Sequence, residues 1–305
     1  MLSMILLTIS CKKKEERGNV DLCIHYSVNG GPLMTDTFTY VNEAGNTFLI
    51  SEIQWFLSDI QLLDEYGEWH PLRQRDAIDS IQQITEHIFY IDTNIPESQT
   101  LHAKKLPVGK YTSIRFTFGL DEYDNESELF SDPPEANMYW PEQLGGGYHY
   151  MKLNGKYVNA QGQLAPLNIH LGIGQNQDLS QFYHNYFIVE RPIDFYLSEN
   201  SENQLDITMI IDNWFRTPTV YDFDEWGSSI MQNQEAQRVL RHNGQDVFQI
   251  KQASENKDDM AITKDDILKG FSGLMHKAAP KPHFWRWENV KQTIEQIRTS
   301  NQNRS

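Results

Sequence analysis

Cysteine is scarce: two in 305 residues, at Cys11 and Cys23, so no disulfide framework holds this chain together. Positive charge is scarce as well, with 26 Lys and Arg against 42 Asp and Glu and a formal net charge of −16. So acidic a surface repels phosphate backbones, and nucleic-acid binding is not expected. No stretch approaches the roughly 20 consecutive apolar residues of a membrane-spanning helix. Internal repeats, low-complexity tracts, a phosphate-cradling glycine loop, a nucleophile elbow and a zinc-type Cys pair are all missing. What is abundant is aromatic side chain, 12% of the chain, which excludes wholesale disorder and supplies a sizeable core.

The opening residues carry an address. Met4, Ile5, Leu6, Leu7 and Ile9 form an apolar stretch ending in Ser10 and Cys11, with Lys12, Lys13 and Lys14 immediately after. It is shorter and less basic than a complete secretory signal, as expected if the start is truncated or internal. Leu7-Thr8-Ile9-Ser10-Cys11 resembles a bacterial lipobox, with Thr8 where Leu is usual. The resemblance implies a lipid on Cys11 and an outer-membrane lipoprotein, on the periplasmic face or the cell surface. Lys14-Glu15-Glu16 is similar to the surface-export signal of some Bacteroidetes lipoproteins. With Cys11 lipidated, Cys23 is left as a free thiol.

Residues 21–213 read as strands and turns. Leu22, Ile24, Tyr26 and Val28 alternate with Cys23, His25 and Ser27, the period of a half-buried strand. Short apolar segments follow at 37–41, 47–53, 55–63, 87–91, 111–118, 148–153, 167–171, 186–189 and 205–211, broken by Gly, Pro and Asn. This pattern predicts a mainly β fold, an antiparallel β-sandwich. Beyond 213 helical spacing takes over at Ser228–Leu240, Thr263–Met275 and Glu288–Ile297. The expected organisation is a signal remnant at 1–11, a charged linker at 12–20, the β-domain at 21–213 and a helical C-terminal appendage at 214–305.

The densest chemical signal is Met138-Tyr139-Trp140-Pro141 followed by Gly145-Gly146-Gly147-Tyr148-His149-Tyr150-Met151-Lys152-Leu153. If a strand starts at the glycines, alternation puts His149 and Met151 on one face. Imidazole beside thioether suits a soft ion such as Cu(I). Asn168-Ile169-His170-Leu171-Gly172 carries a second mid-strand His, and two such His on neighbouring strands meet at ligand distance. A lone strand His is more often a hydrogen-bonded structural residue, which is the competing reading of both. The carboxylate-rich 121–128 offers hard oxygen ligands, but lacks the glycine of a calcium-binding helix-loop-helix and reads as a solvated loop. Tyr221 to Trp226 does not fix the carboxylate separation that glycoside hydrolysis requires, and His283 to Trp287 reads as packing for the last helix.

These segments, taken in order from about 20 to 211, resemble the MbnP-like domain family. The resemblance is carried by Leu22 to Leu33, Phe56-Leu57-Ser58-Asp59-Ile60-Gln61-Leu62, Leu106-Pro107-Val108-Gly109-Lys110-Tyr111 and Phe116-Thr117-Phe118-Gly119-Leu120-Asp121. It continues through Met138-Tyr139-Trp140, Gly147 to Leu153 and Ile169-His170-Leu171-Gly172. It implies an exported, β-rich, non-catalytic copper-binding protein. Family members bind copper through His, some beside a Trp oxidised to kynurenine, often alongside a dihaem peroxidase-like partner. By position the resemblance implies His149 and His170 as metal ligands, Trp140 as the Trp beside the metal and His25 as a further ligand, while Met151 joins the set from its place on the His149 face. The four-Cys pattern of the methanotroph branch is absent. The alternative is a surface nutrient module that binds glycans on Trp and Tyr platforms, its histidines structural. A carboxylate hydrolase comes last.

Overall fold

The computed structural model describes residues 16–73, 86–175, 181–199, 201 and 203–252. Among these described residues, fifteen strands and three short α-helices follow one another in chain order. The strands are β1 (Arg17–Val28), β2 (Gly31–Pro32), β3 (Tyr40–Val41), β4 (Thr47–Asp64), β5 (Trp69–Pro71), β6 (Ile88–Asp92), β7 (Thr100–Pro107) and β8 (Gly109–Phe118). After a long connection come β9 (Met151–Val158), β10 (Leu164–Leu171), β11 (Gly174–Gln175), β12 (Phe182–Tyr183), β13 (Phe187–Leu197), β14 (Gln204–Ile210) and β15 (Phe248–Gln252). Helices α1 (Ile211–Trp214), α2 (Phe223–Trp226) and α3 (Gln234–Asn243) lie between β14 and β15.

Most of these strands form two facing sheets, and β11 pairs with β12 as a separate two-stranded ribbon. One runs β15-β14-β1-β2, with β7 also on β1; the other runs β10-β9-β4-β8-β13, with β3, β5 and β6 on β4. The mainly β sandwich predicted by the alternating pattern is the fold. Within it, β1 and β14 are parallel rather than antiparallel. The two segments expected at 47–53 and 55–63 are one 18-residue strand, β4, because the intervening Gln54 pairs with Asp92 and Lys152 instead of turning.

The core lies between the sheets. From β1, Val20, Leu22, Ile24, Tyr26 and Val28 point inward and are buried, which leaves Asp21, Cys23, His25 and Ser27 on the outer face. Trp55 of β4 points inward to meet them, its indole donating to the Tyr26 hydroxyl at 2.9 Å. Its ring also lies 5.9 Å from Phe118 and 5.4 Å from Phe248. Fully burying each such aromatic stabilises the fold by about 1.5–3 kcal/mol.

The chain beyond 213 differs from the expected appendage. Trp214, Phe215, Tyr221, Phe223, Ile230, Leu240 and Phe248 all belong to the sandwich core, and β15 adds a strand to β14 from Leu205 to Met209. Apolar side chains at those positions pack into the core cluster, and β15 covers the β14 edge. A helix appears where 228–240 predicted one, but starts at Gln234, where the Asn233 side chain accepts from the Ala236 amide. The helical segments expected at 263–275 and 288–297, like Cys11, Lys14 and Glu15, lie outside the described residues. Among the described residues no helix is long and apolar enough to cross a membrane.

Candidate metal centre

The outer face of the larger sheet carries the site. Hairpin β9–β10 pairs Lys152 with His170, Asn154 with Asn168 and Met151 with Leu171. Alternation then sends Met151, Leu153, Ile169 and Leu171 into the core, and Lys152, Asn154 and His170 outward. The connection between β8 and β9 folds back over this outward face.

His149 joins His170 on that side by leaving the strand rhythm. Gly145, Gly146 and Gly147 have φ of +118°, +71° and +75°, a region that L side chains adopt only with strain. At Gly147 there is also no space: an added Cβ would lie 2.4 Å from the Asn125 amide oxygen. Regular pairing begins only at Met151. The His149 amide bonds instead to the Met138 carbonyl at 2.6 Å, while the next amide, that of Tyr150, bonds to Leu171. The expectation that His149 and Met151 share a face is therefore not met. Met151 is fully buried among core residues instead.

The two imidazoles meet. Their ring centroids are 5.0 Å apart at 82°, and the Trp140 ring lies 4.7 Å from His149 at 72°. Trp140 is fully buried, donates its indole N–H to the Leu144 carbonyl at 3.1 Å, and lies flat against Gly172. A Cβ there would come within 2.5 Å of the indole.

Hydrogen bonds set which nitrogen each ring presents. Nδ1 of His149 lies 2.8 Å from the Met138 carbonyl, which can only accept, so Nδ1 carries the hydrogen. Nε2 of His149 is thereby a lone pair, and it is buried with no partner. On His170, Nε2 donates to Oδ1 of Asn154 at 2.8 Å, and Asn154 is oriented by its own bond to Glu52 at 3.3 Å. That leaves Nδ1 of His170 as the second lone pair. Burial, then the positive charge of His170 and Lys152, pushes the His149 pKa down to about 3. Burial, then Lys152, takes His170 down to about 4. Both rings are neutral at physiological pH. Lys152 donates to the Asn137 carbonyl, and its own pKa is lowered by burial.

No group of three or more His, Cys, Asp or Glu ligands includes either imidazole among the described residues. The pair offers two nitrogen lone pairs in a buried setting with no carboxylate beside them. That donor set fits a soft, low-coordinate ion and suits Ca²⁺ or Mg²⁺ poorly.

His25 stands apart. It is on the outer face of the other sheet, with Nε2 3.1 Å from an Asp206 oxygen. The core separates it from His149 and His170, so the fold does not bring these three together. Asn154 and the Met138 carbonyl were not singled out in the sequence. Asn154 was within reach, since a hairpin turning at Asn159–Gln163 sets His170 against Lys152 and leaves Asn154 one pleat along.

A sequence profile described as MbnP matches residues 17–233. Among solved structures, MbnP from Methylosinus trichosporium is similar with a TM-score of 0.51 at 13% identity, over 78% of this chain and 100% of that one. At that identity the likeness is one of fold. No curated protein matches.

Proposed function

The chain belongs to the MbnP family, and from that premise we propose that it binds copper between His149 and His170 without catalysing a reaction. A lipid on Cys11 would hold it at an outer membrane, on the periplasmic face or the cell surface. The observation that carries this reading is the buried, unpartnered Nε2 of His149 turned out beside a second neutral imidazole. A buried polar atom without a partner costs about 1–3 kcal/mol, so a native fold keeps one where something else satisfies it. Two neutral imidazoles favour Cu(I). Bound copper supplies a soft Lewis-acidic centre. The chain's own part is to fix both tautomers, exclude water with Trp140 and keep carboxylates away. A dihaem peroxidase-like protein is the partner that the family resemblance implies.

The four tryptophans of the β-sandwich that a glycan platform would use are covered. Trp55, Trp140 and Trp214 are fully buried, and the Trp69 ring is covered by the Arg115 guanidinium at 4.0 Å.

Cu(I) competition against a chromophoric chelator, with the unlipidated Cys11→Ala chain, tests the reading. One equivalent is expected, lost in His149→Ala and in His170→Ala. No copper uptake by the parent chain, or uptake unchanged in both variants, overturns it. Mass spectrometry of mature protein should find acyl chains on Cys11; an unmodified thiol there removes the anchor.

A further inference from the structure

A second constellation lies apart from the two imidazoles, where the loop after β8 meets β4 and β6. Asp59 sits in β4 where its pairing with β8 shifts between Ser58 and Gln61. Its amide bonds to the His87 carbonyl at 3.0 Å. His87, just before β6, places Nε2 2.8 Å from a carboxylate oxygen of Asp124. One ligand atom from each of Asp59, His87 and Asp124 lies within 4.8 Å of the others, and all three side chains are half-buried. Among the described residues no hydrogen bond reaches the Asp59 carboxylate. Asp121 adds a further negative charge nearby, and Arg73 is the opposing cation, itself 3.6 Å from Glu86. Two carboxylates thus converge on one imidazole in a half-buried site, and the Asp59 carboxylate is the one that His87 does not hydrogen-bond.

We infer that Asp59, His87 and Asp124 form a second metal site, for a borderline divalent ion of the Mn²⁺ or Zn²⁺ class. One imidazole and two carboxylates match such ions, whereas Ca²⁺ takes oxygen ligands and Cu(I) prefers softer donors. The ligands come from three separate segments, so the ion ties the loop after β8 to the sheet. The residues after Asp124 give that tie a destination. Asn125 accepts from the Tyr148 amide and Ser127 from the Gly147 amide, each at 2.8 Å. An ion at Asp124 therefore fastens the loop that holds the glycine turn leading into His149. Loops 121–128 and 145–149 become one clamped unit. The inference stands independently of copper.

Mn²⁺ titration followed by electron paramagnetic resonance tests it on the full unlipidated chain. The free-ion signal should be depleted by one equivalent, and Zn²⁺ in excess should restore it. Asp59→Asn and His87→Gln should each weaken binding at least tenfold, while His149→Ala with His170→Ala should leave it unchanged. Thermal melts of the metal-free variants confirm that each folds. Saturating Mn²⁺ should raise the parent midpoint by several degrees and leave that of Asp59→Asn unmoved. The site is excluded if the parent depletes no Mn²⁺. It is equally excluded if both folded variants bind as the parent does, since the ion then sits on the acidic surface elsewhere.

Discussion

The outer faces of the two sheets both carry histidines, and they treat them in opposite ways. On the smaller sheet, His25 lies 3.1 Å from Asp206 and His102 2.8 Å from Asp21, with 40% and 46% of the side chains exposed. On the larger sheet, His149 and His170 have no carboxylate partner and are covered by the chain between β8 and β9. Solvent and carboxylates satisfy the first pair; burial holds the second pair neutral, while each ring donates one N–H, to the Met138 carbonyl and to the Asn154 amide oxygen. In the proposed copper reading, the covering segment prepares these two strand histidines for a soft ion by removing water and supplying a neutral acceptor to one ring nitrogen.

Removing ligands gives the sharpest break in that comparison. His149→Ala and His170→Ala should each weaken Cu(I) binding by on the order of several kcal/mol, whereas His25→Ala should leave the Cu(I) affinity of the parent. Chelator competition measures all three. An equal loss in His25→Ala would erase the distinction between the faces.

Acid should act next. The folded pKa values of His149 and His170, about 3 and about 4, lie below the ordinary 6.5. The unfolded chain then takes up protons first, so this contribution is complete above pH ~6.5 and is lost as pH falls toward the folded values. Metal-free stability should drop on the order of several kcal/mol across that window. Denaturant melts between pH 7 and pH 5, where carboxylates contribute least, should show a shallower slope in the His149→Gln, His170→Gln double variant. Identical slopes would mean that water reaches both rings.

A smaller effect tests the cover. Gly172→Ala places a methyl against the buried Trp140 indole, and overpacking of this kind costs about 1–3 kcal/mol. Thermal denaturation reads the loss, and Trp140→Leu in the same chain should recover part of it. The smallest change is expected on the paired face. His102→Ala breaks a half-exposed ion pair with Asp21 and should cost about 1 kcal/mol or less, diminishing further in high salt. A larger loss would mean that this face also supports the core.

Much of the fold was legible because alternation is a local property. Val20 to Val28 announces a strand with one buried face whatever it pairs with, and the aromatic density announces a core. The pairing itself was not legible: β1 lies parallel to β14 across some 180 residues, and β15 returns to the sandwich after three helices. Nothing local in Phe248 to Gln252 marks that destination. Met151 shows the same limit within the site. Period two put it beside His149, yet the three positive-φ glycines delay the strand until Met151 itself.

The sequence by itself determined that this chain is a β-rich, acidic member of its family, with Trp140, His149 and His170 in the motifs that matter. It did so because residue type and short-range spacing fix strand faces and turns. Only the tertiary structure decided that His149 and His170 meet while His25 lies across the core. It also decided that Met138 and Asn154 choose which ring nitrogens keep a free lone pair and that Asp124 reaches His87. Those are relations between segments far apart in the chain, set by which sheet each strand joins and which loop covers it.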